Sequence, residues 1–425
     1  MINKRNTLAL LGGEPVINKA FRPYNTFDNQ ESYAVNEVIQ NGVLSGYIAA
    51  VGSHFMGGPK VRDFEKKIAN YFGVKHALAV NSWTSGLISA VGAIGIEPGD
   101  EIITTPWTMA ATATAILHWN AIPVFSDIDD DTFNIAPSAI EKLITSKTKA
   151  IITVDIFGQS VAMDEIQLIA NRYNLKIISD TAQSPGATLN GRFAGTMADI
   201  GGLSFNYHKH IHCGEGGVLF TDSDTLAERL SMIRNHAEAV IRPKKSSELC
   251  NMLGYNFRMG EIEAAIATVQ LDKLSSAIRS RQLAAEQLNK GLTHLPGLTV
   301  PKVSKGATHV YYMYGMKINV DELGVTRDYI VKALKAEGVP GIILGYQNIH
   351  RLPIFQQKIA YGTNHFPWHM DGYSNDINYR QGICPIAETL HDKTFIGLNM
   401  CMYDFSEYEV SKIIESFNKV WSYLI

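Results

Sequence analysis

Between residues 76 and 222 short apolar runs alternate with helical stretches, and this alternation limits the fold more than any other feature of the chain. The strand candidates are residues 76–80, 101–105, 123–128, 150–156 and 176–179, and the helices between them cover about 84–95, 109–119, 137–145 and 163–173. A repeat of this length predicts an α/β unit with a mainly parallel sheet and helices on both faces. In such sheets ligands bind beyond the carboxyl ends of the strands. The residues of chemical interest should therefore sit just after the apolar runs.

Two of them do. The apolar run 200–205 is followed by Asn206-Tyr207-His208-Lys209-His210, then by Gly214-Glu215-Gly216-Gly217 and a second apolar run, 218–221. This places one amine at the mouth of a sheet on a loop fixed at both ends. Apolar surroundings favour a neutral amine, which suits Schiff-base formation; the alternative is an ordinary surface lysine in a turn. Upstream, Lys176-Ile177-Ile178-Ser179-Asp180 is an apolar strand ending on a carboxylate, with Gln183 three residues on. Pyridoxal phosphate needs a lysine for its aldehyde and an acid beside its ring nitrogen. An aspartate ending a strand is also a common helix cap, so the pair alone leaves both readings open.

The combined pattern, Asp180-x-x-Gln183, Ser204-Phe205-x-x-x-Lys209 and Gly214-Glu215-Gly216-Gly217, resembles the DegT/StrS family of sugar aminotransferases over roughly residues 30–425. The resemblance implies the aspartate aminotransferase fold: a three-layer large domain that binds pyridoxal phosphate and a smaller C-terminal α+β domain. It implies an arm at 1–30, a large domain at 31–275 and a small one at 276–425. Sugar dehydratases of the family carry His where this chain has Lys209, so transamination is implied. The amino donor would be glutamate or glutamine, and the acceptor a nucleotide-linked keto-sugar or, as the alternative, a keto-cyclitol of the scyllo-inosose type. Dehydration and a non-enzymatic regulator are the other readings.

Residue roles carry over in the same way. Lys209 would hold the cofactor and move protons, Asp180 would keep the ring nitrogen protonated, and Gln183 would bond the ring hydroxyl. The turn Asn81-Ser82-Trp83-Thr84-Ser85-Gly86 opens a helix, and helix N-termini favour phosphate. Simple N-capping by Ser82 or Thr84 is the competing account; the resemblance makes Thr84 and Ser85 phosphate donors, helped by Ser204. Trp83 replaces a glycine usual there. Met109 stands where relatives place an aromatic residue on the cofactor ring, and a thioether can pack on a π-face; Trp107 is a second candidate, with core or interface as its other reading. Asp155 stands where relatives often have His and receives no role. Asn256, in Gly254-Tyr255-Asn256, would reach the cofactor phosphate of a partner subunit in a homodimer, and Arg258 is a candidate for a carboxylate.

Composition sets the remaining bounds. The 425 residues are 46% hydrophobic with net charge −3, enough for a sizeable core in two domains. No basic block supports nucleic-acid or membrane binding. Four scattered cysteines (Cys213, Cys250, Cys384, Cys401) have neither zinc-ligand nor disulfide spacing, and no metal is expected. No signal peptide or membrane span is read, and the expected location is cytoplasmic. The arm, with Gly12-Gly13 and Pro15, reads as a turn-rich lead-in rather than a core element. Residues 238–251 read as a solvated loop. The helix after Met259 is expected to bury Ile262, Ile266 and Val269. Tyr346, His350, His365 and His369 lie in loops that could touch substrate.

Overall fold

A computed structural model describes residues 7–245, 248–370, 373–374 and 377–424. Nine strands lie between residues 76 and 221: β1 His76–Val80, β2 Glu101–Thr104, β3 Ile122–Phe125, β4 Thr148–Val154, β5 Lys176–Asp180, β6 Thr188–Leu189, β7 Arg192–Phe193, β8 Ile200–Ser204 and β9 Gly217–Thr221. Seven form one sheet in the order β1-β9-β8-β5-β4-β2-β3, while β6 and β7 pair separately. Within the large sheet β9 alone runs against its neighbours; β8, β5, β4, β2 and β3 are mutually parallel. The carboxyl ends of β1, β2, β5 and β8 therefore share one edge.

The strands are apolar on both faces because both faces are covered. Successive residues show it. Ile152 and Ile178 join the core under helices Trp83–Ala93, Ala111–His118 and Asp224–Arg234. Their neighbours Ile151 and Ile177 point the other way, into a core shared with helix Met163–Tyr173. Further along the sheet that second layer is made by helix Pro59–Phe72 and the first half of helix Glu261–Leu292. Helices on both faces give the three-layer α/β arrangement.

The second unit is a four-stranded antiparallel sheet ordered Leu298–Thr299, Met313–Ile318, Phe395–Asn399, Ile342–Ile343. Helices Arg327–Ala336 and Glu407–Leu424 share its core. The 32-residue helix Glu261–Leu292 joins the units. Ala264, Ala267, Leu271 and Leu274 pack with the large sheet, whereas Ala284, Ala285, Leu288 and Leu292 pack in the smaller core. The expected division at 275/276 falls inside this helix.

Three expectations change. The arm supplies a core residue: Leu8 is fully buried in the smaller unit's core, and the Ala9 and Val16 N–H groups donate to the Glu337 carboxylate. Glycines and proline bend the arm back onto the smaller unit without keeping it out of the core. Residues Ala237–Lys244 form a helix, because Ala237 and Val240 are buried against the large domain while the charges face outward. On the long helix Ile262, Ile266 and Val269 are only half-buried; the packed face is alanine-rich, which lets helices approach closely. Among the described residues no helix is long and apolar enough to cross a membrane, and no group of acidic, histidine or cysteine side chains is arranged for a metal.

Candidate active site

The shared strand edge opens into a cleft whose floor is Asp180. This residue ends β5, and burial raises its carboxyl above the usual range. Hydrogen bonds oppose that shift. Oδ1 accepts from the Trp83 Nε1–H at 2.7 Å and the Ala182 N–H at 3.2 Å, and Oδ2 accepts from the Thr112 hydroxyl at 3.0 Å. The Lys209 ammonium favours the same ionised form.

Lys209 follows β8 and lies in the same cleft, 7% exposed. Its Nζ stands 4.6 Å from the centre of the Tyr312 ring. Burial pulls its ammonium down from 10.5 to about 8, while Asp180 pushes the other way. The loop holding it is closed by short returns: the Phe205 N–H donates to the Gly216 carbonyl, the Cys213 N–H to the Phe205 carbonyl, and Gly214 takes φ +88 at the turn. Burial also drives neighbouring His208 down to about 4 and His210 to about 3. Both imidazoles are neutral at physiological pH, so they do not add like charges beside the lysine.

At one end of the cleft helix Trp83–Ala93 begins. Ser82 caps it, accepting the Ser85 N–H at 3.1 Å. Ser82, Thr84 and Ser204 line the cleft. The Ser85 hydroxyl instead donates to Asn81 Oδ1 at 2.7 Å and meets the Ser82 hydroxyl at 2.9 Å, so it supports the turn from behind. Met109 also lines the cleft and is 56% exposed, whereas Trp107 is fully buried against Phe395 and His391. Of these two candidates for the ring's face, only Met109 is within reach.

Gln183 lines the opposite wall. Its Oε1 accepts the Phe157 N–H at 2.9 Å, and its Nε2 donates to the Tyr346 hydroxyl at 2.9 Å. Tyr346 comes from the smaller unit and is the one loop residue of the four that the fold delivers to the cleft. His350 is buried on Glu388; His365 and His369 are exposed elsewhere. Asn256 is exposed beside the cleft turn, its carbonyl accepting from Asn81, and it does not line the cleft of its own chain. Arg258 donates to Asn235. Asp155 lies behind the site, fully buried, bonded to Ser179, Thr181 and the Val161 N–H, and burial raises it to about 6.

Sequence reasoning missed Trp83, Thr112, Asn206 and Glu215 as parts of this cleft. The tryptophan in place of a glycine was a visible signal; the other three carried none.

A buried amine, a buried carboxylate on the floor and a hydroxyl-bearing helix N-terminus at one end define a site for an aldehyde cofactor with a basic ring nitrogen and a phosphate. Residues 38–395 match the DegT/DnrJ/EryC1/StrS aminotransferase family, and the chain belongs to it. It is a pyridoxal-phosphate-dependent transaminase. It is 33% identical over 366 residues to the spore coat polysaccharide biosynthesis protein SpsC of Bacillus subtilis, covering 84% of this chain and 91% of that one. It is 30% identical over 421 residues to a putative L-glutamine:3-amino-2,3-dideoxy-scyllo-inosose aminotransferase of Streptoalloteichus tenebrarius, covering 97% of both. The fold is similar to that of DesI, solved in the presence of its TDP-sugar product, with a TM-score of 0.79, 25% identity and coverage of 99% and 97%.

Proposed function

We propose that this chain transfers the amino group of glutamate or glutamine to the keto group of a nucleotide-linked sugar, with Lys209 and Asp180 as catalytic residues. The observation that carries the reading is the buried Lys209 amine, held in one cleft with the buried Asp180 carboxylate. Bound pyridoxal phosphate supplies an aldehyde that carries the amino group and a protonated ring that accepts electrons. The groups present fit it. Lys209 would hold its aldehyde carbon, Asp180 its ring nitrogen, Gln183 its ring hydroxyl and Met109 its face. Thr84 and Ser204 would hold its phosphate, with Ser85 bracing the turn through Asn81 and Ser82 instead of donating to it as expected, and with Asn256 reaching in from a second copy of the chain.

The chain's own residues then divide the work. Asp180 would keep a proton on the ring nitrogen, its three donors and Lys209 favouring the ionised carboxylate against the burial that raises it. The Lys209 amine would serve as the base and acid that moves the proton between the donor α-carbon and the cofactor's C4′. A group that titrates near working pH serves as both base and acid; at about 8 Lys209 is close to that range. Lowering it from 10.5 raises the neutral fraction at pH 7 by roughly a few hundredfold.

The sugar reading is supported by the likeness to SpsC, named for polysaccharide biosynthesis, and to DesI, whose structure holds a TDP-sugar. The full-length likeness to the scyllo-inosose enzyme supports a keto-cyclitol as the second reading. The homodimer and a cytoplasmic location belong to the same proposal.

Borohydride reduction of the holoprotein followed by peptide mapping tests the lysine. The pyridoxyl mass is expected on the peptide containing Lys209, and the same mass on another lysine would overturn the assignment.

A further inference from the structure

We propose that Trp83 is a positioning residue for transamination, its indole N–H fixing Asp180 through Oδ1 and leaving a lone pair of Oδ2, beside the Thr112 bond, for the cofactor. The inference rests on the role proposed above for Asp180. The contact is short and dry: Nε1 to Oδ1 is 2.7 Å, and Trp83 and Asp180 are 5% and 6% exposed. It is the shortest of the three hydrogen bonds to the carboxylate, ahead of Thr112 at 3.0 Å and the Ala182 N–H at 3.2 Å.

The indole also occupies a slot that the chain has kept open. A Cβ on Gly202 would stand 2.1 Å from its Cζ3, and one on Gly86 would stand 2.6 Å from its Cε3. Gly202 lies in β8, two residues before the strand ends at Ser204, and Gly86 lies on the first turn of the helix that Trp83 starts. Neither glycine needs a left-handed backbone; space for the ring explains Gly86, and at Gly202 the ring and the Val218 carbonyl, 2.3 Å from such a Cβ, both exclude a side chain. Trp83 thereby reaches from the helix N-terminus, where the phosphate would be held, to the carboxylate that would hold the ring nitrogen. Both ends of the cofactor site hang on one residue.

The charged groups facing Asp180 make the N–H matter. Lys209 lies in the cleft with it and favours its ionised form, and Asp180 in turn raises the carboxyl of Asp155 behind it. Burial opposes the charge on Asp180. Without the indole N–H, Oδ1 keeps only the longer bond from Ala182. A hydrogen bond to a buried charged group is worth about 10- to 100-fold in an equilibrium.

The test uses holoenzyme loaded with pyridoxal phosphate labelled with nitrogen-15 in the ring. Two replacements are compared: Trp83→Phe, and 3-benzothienylalanine at position 83, which keeps the bicyclic shape and exchanges N–H for sulfur. In the wild type the ring nitrogen should remain protonated from pH 6 to 9. In both variants it should lose its proton within that range, and kcat should fall about 10- to 100-fold with the donor KM little changed. If Trp83→Phe does not fold, the isosteric variant decides alone. A protonated ring nitrogen and kcat within about twofold of wild type in that variant would show that Trp83 only fills space, and the proposal would fail. Asp180→Asn separates the two claims. If it releases the ring proton while the Trp83 variants do not, this inference alone is wrong; if it does not, the reading of Asp180 falls with it.

Discussion

Replacing Lys209 by methionine should make the cofactor-free protein more stable, and the gain should depend on pH. Burial holds the folded-state amine near 8 against 10.5 for a free lysine. Below pH 8 the group is charged in both states, and the folded state bears the whole cost of a buried ammonium. A displacement of that size is worth about 3 kcal/mol at 1.36 kcal/mol per unit. Between 8 and 10.5 the folded form is neutral and the unfolded form still binds a proton, so wild-type stability rises with pH. The advantage of Lys209→Met should therefore be about 3 kcal/mol at pH 7 and about 2 kcal/mol smaller at pH 9.5. Methionine has a similar length and can lie against the Tyr312 ring as the amine does now. Urea denaturation of both apoproteins at the two pH values measures the difference. A gain that does not change with pH, or a loss of stability at pH 7, would refute the argument that burial lowers the Lys209 amine.

Other consequences follow from neighbouring contacts. Tyr346→Phe removes the acceptor of the Gln183 amide and should cost about 1–3 kcal/mol, read from the urea midpoint of the apoprotein. Glu65→Ala strips the partner from Arg234, a fully buried guanidinium that also donates to the Ala79 carbonyl, and should cost about 3–5 kcal/mol in the same assay. Asp180→Asn should lower kcat by about a hundredfold or more while the protein still binds cofactor, measured by steady-state kinetics and equilibrium dialysis.

The parallel sheet was legible because its strands are buried on both faces, so Ile151-Ile152 and Ile177-Ile178 stand out as unbroken apolar runs. Lys209 and Asp180 were legible because charged groups directly after such runs must sit at the sheet's edge. Contacts between distant segments were not. Trp83 and Asp180 are 97 residues apart, and Gln183 and Tyr346 are 163 apart; no local pattern encodes either meeting. The departure of Trp83 from the family's glycine was visible, but its meaning depends on the room left by Gly202. Leu8 was read with its turn-forming neighbours, and its place in the far core depends on Glu337 capturing the arm. The helix Ala237–Lys244 was hidden by its own charges, since only Ala237 and Val240 are buried and Ile241 half-buried against the core.

The most direct test of the account is the visible absorption of the purified holoprotein before and after adding L-glutamate or L-glutamine, with the keto acid product assayed alongside. One donor should bleach the cofactor band and release an equivalent of its keto acid, in the wild type and not in Lys209→Ala. A band that neither donor changes, with no keto acid formed, would contradict transamination at Lys209.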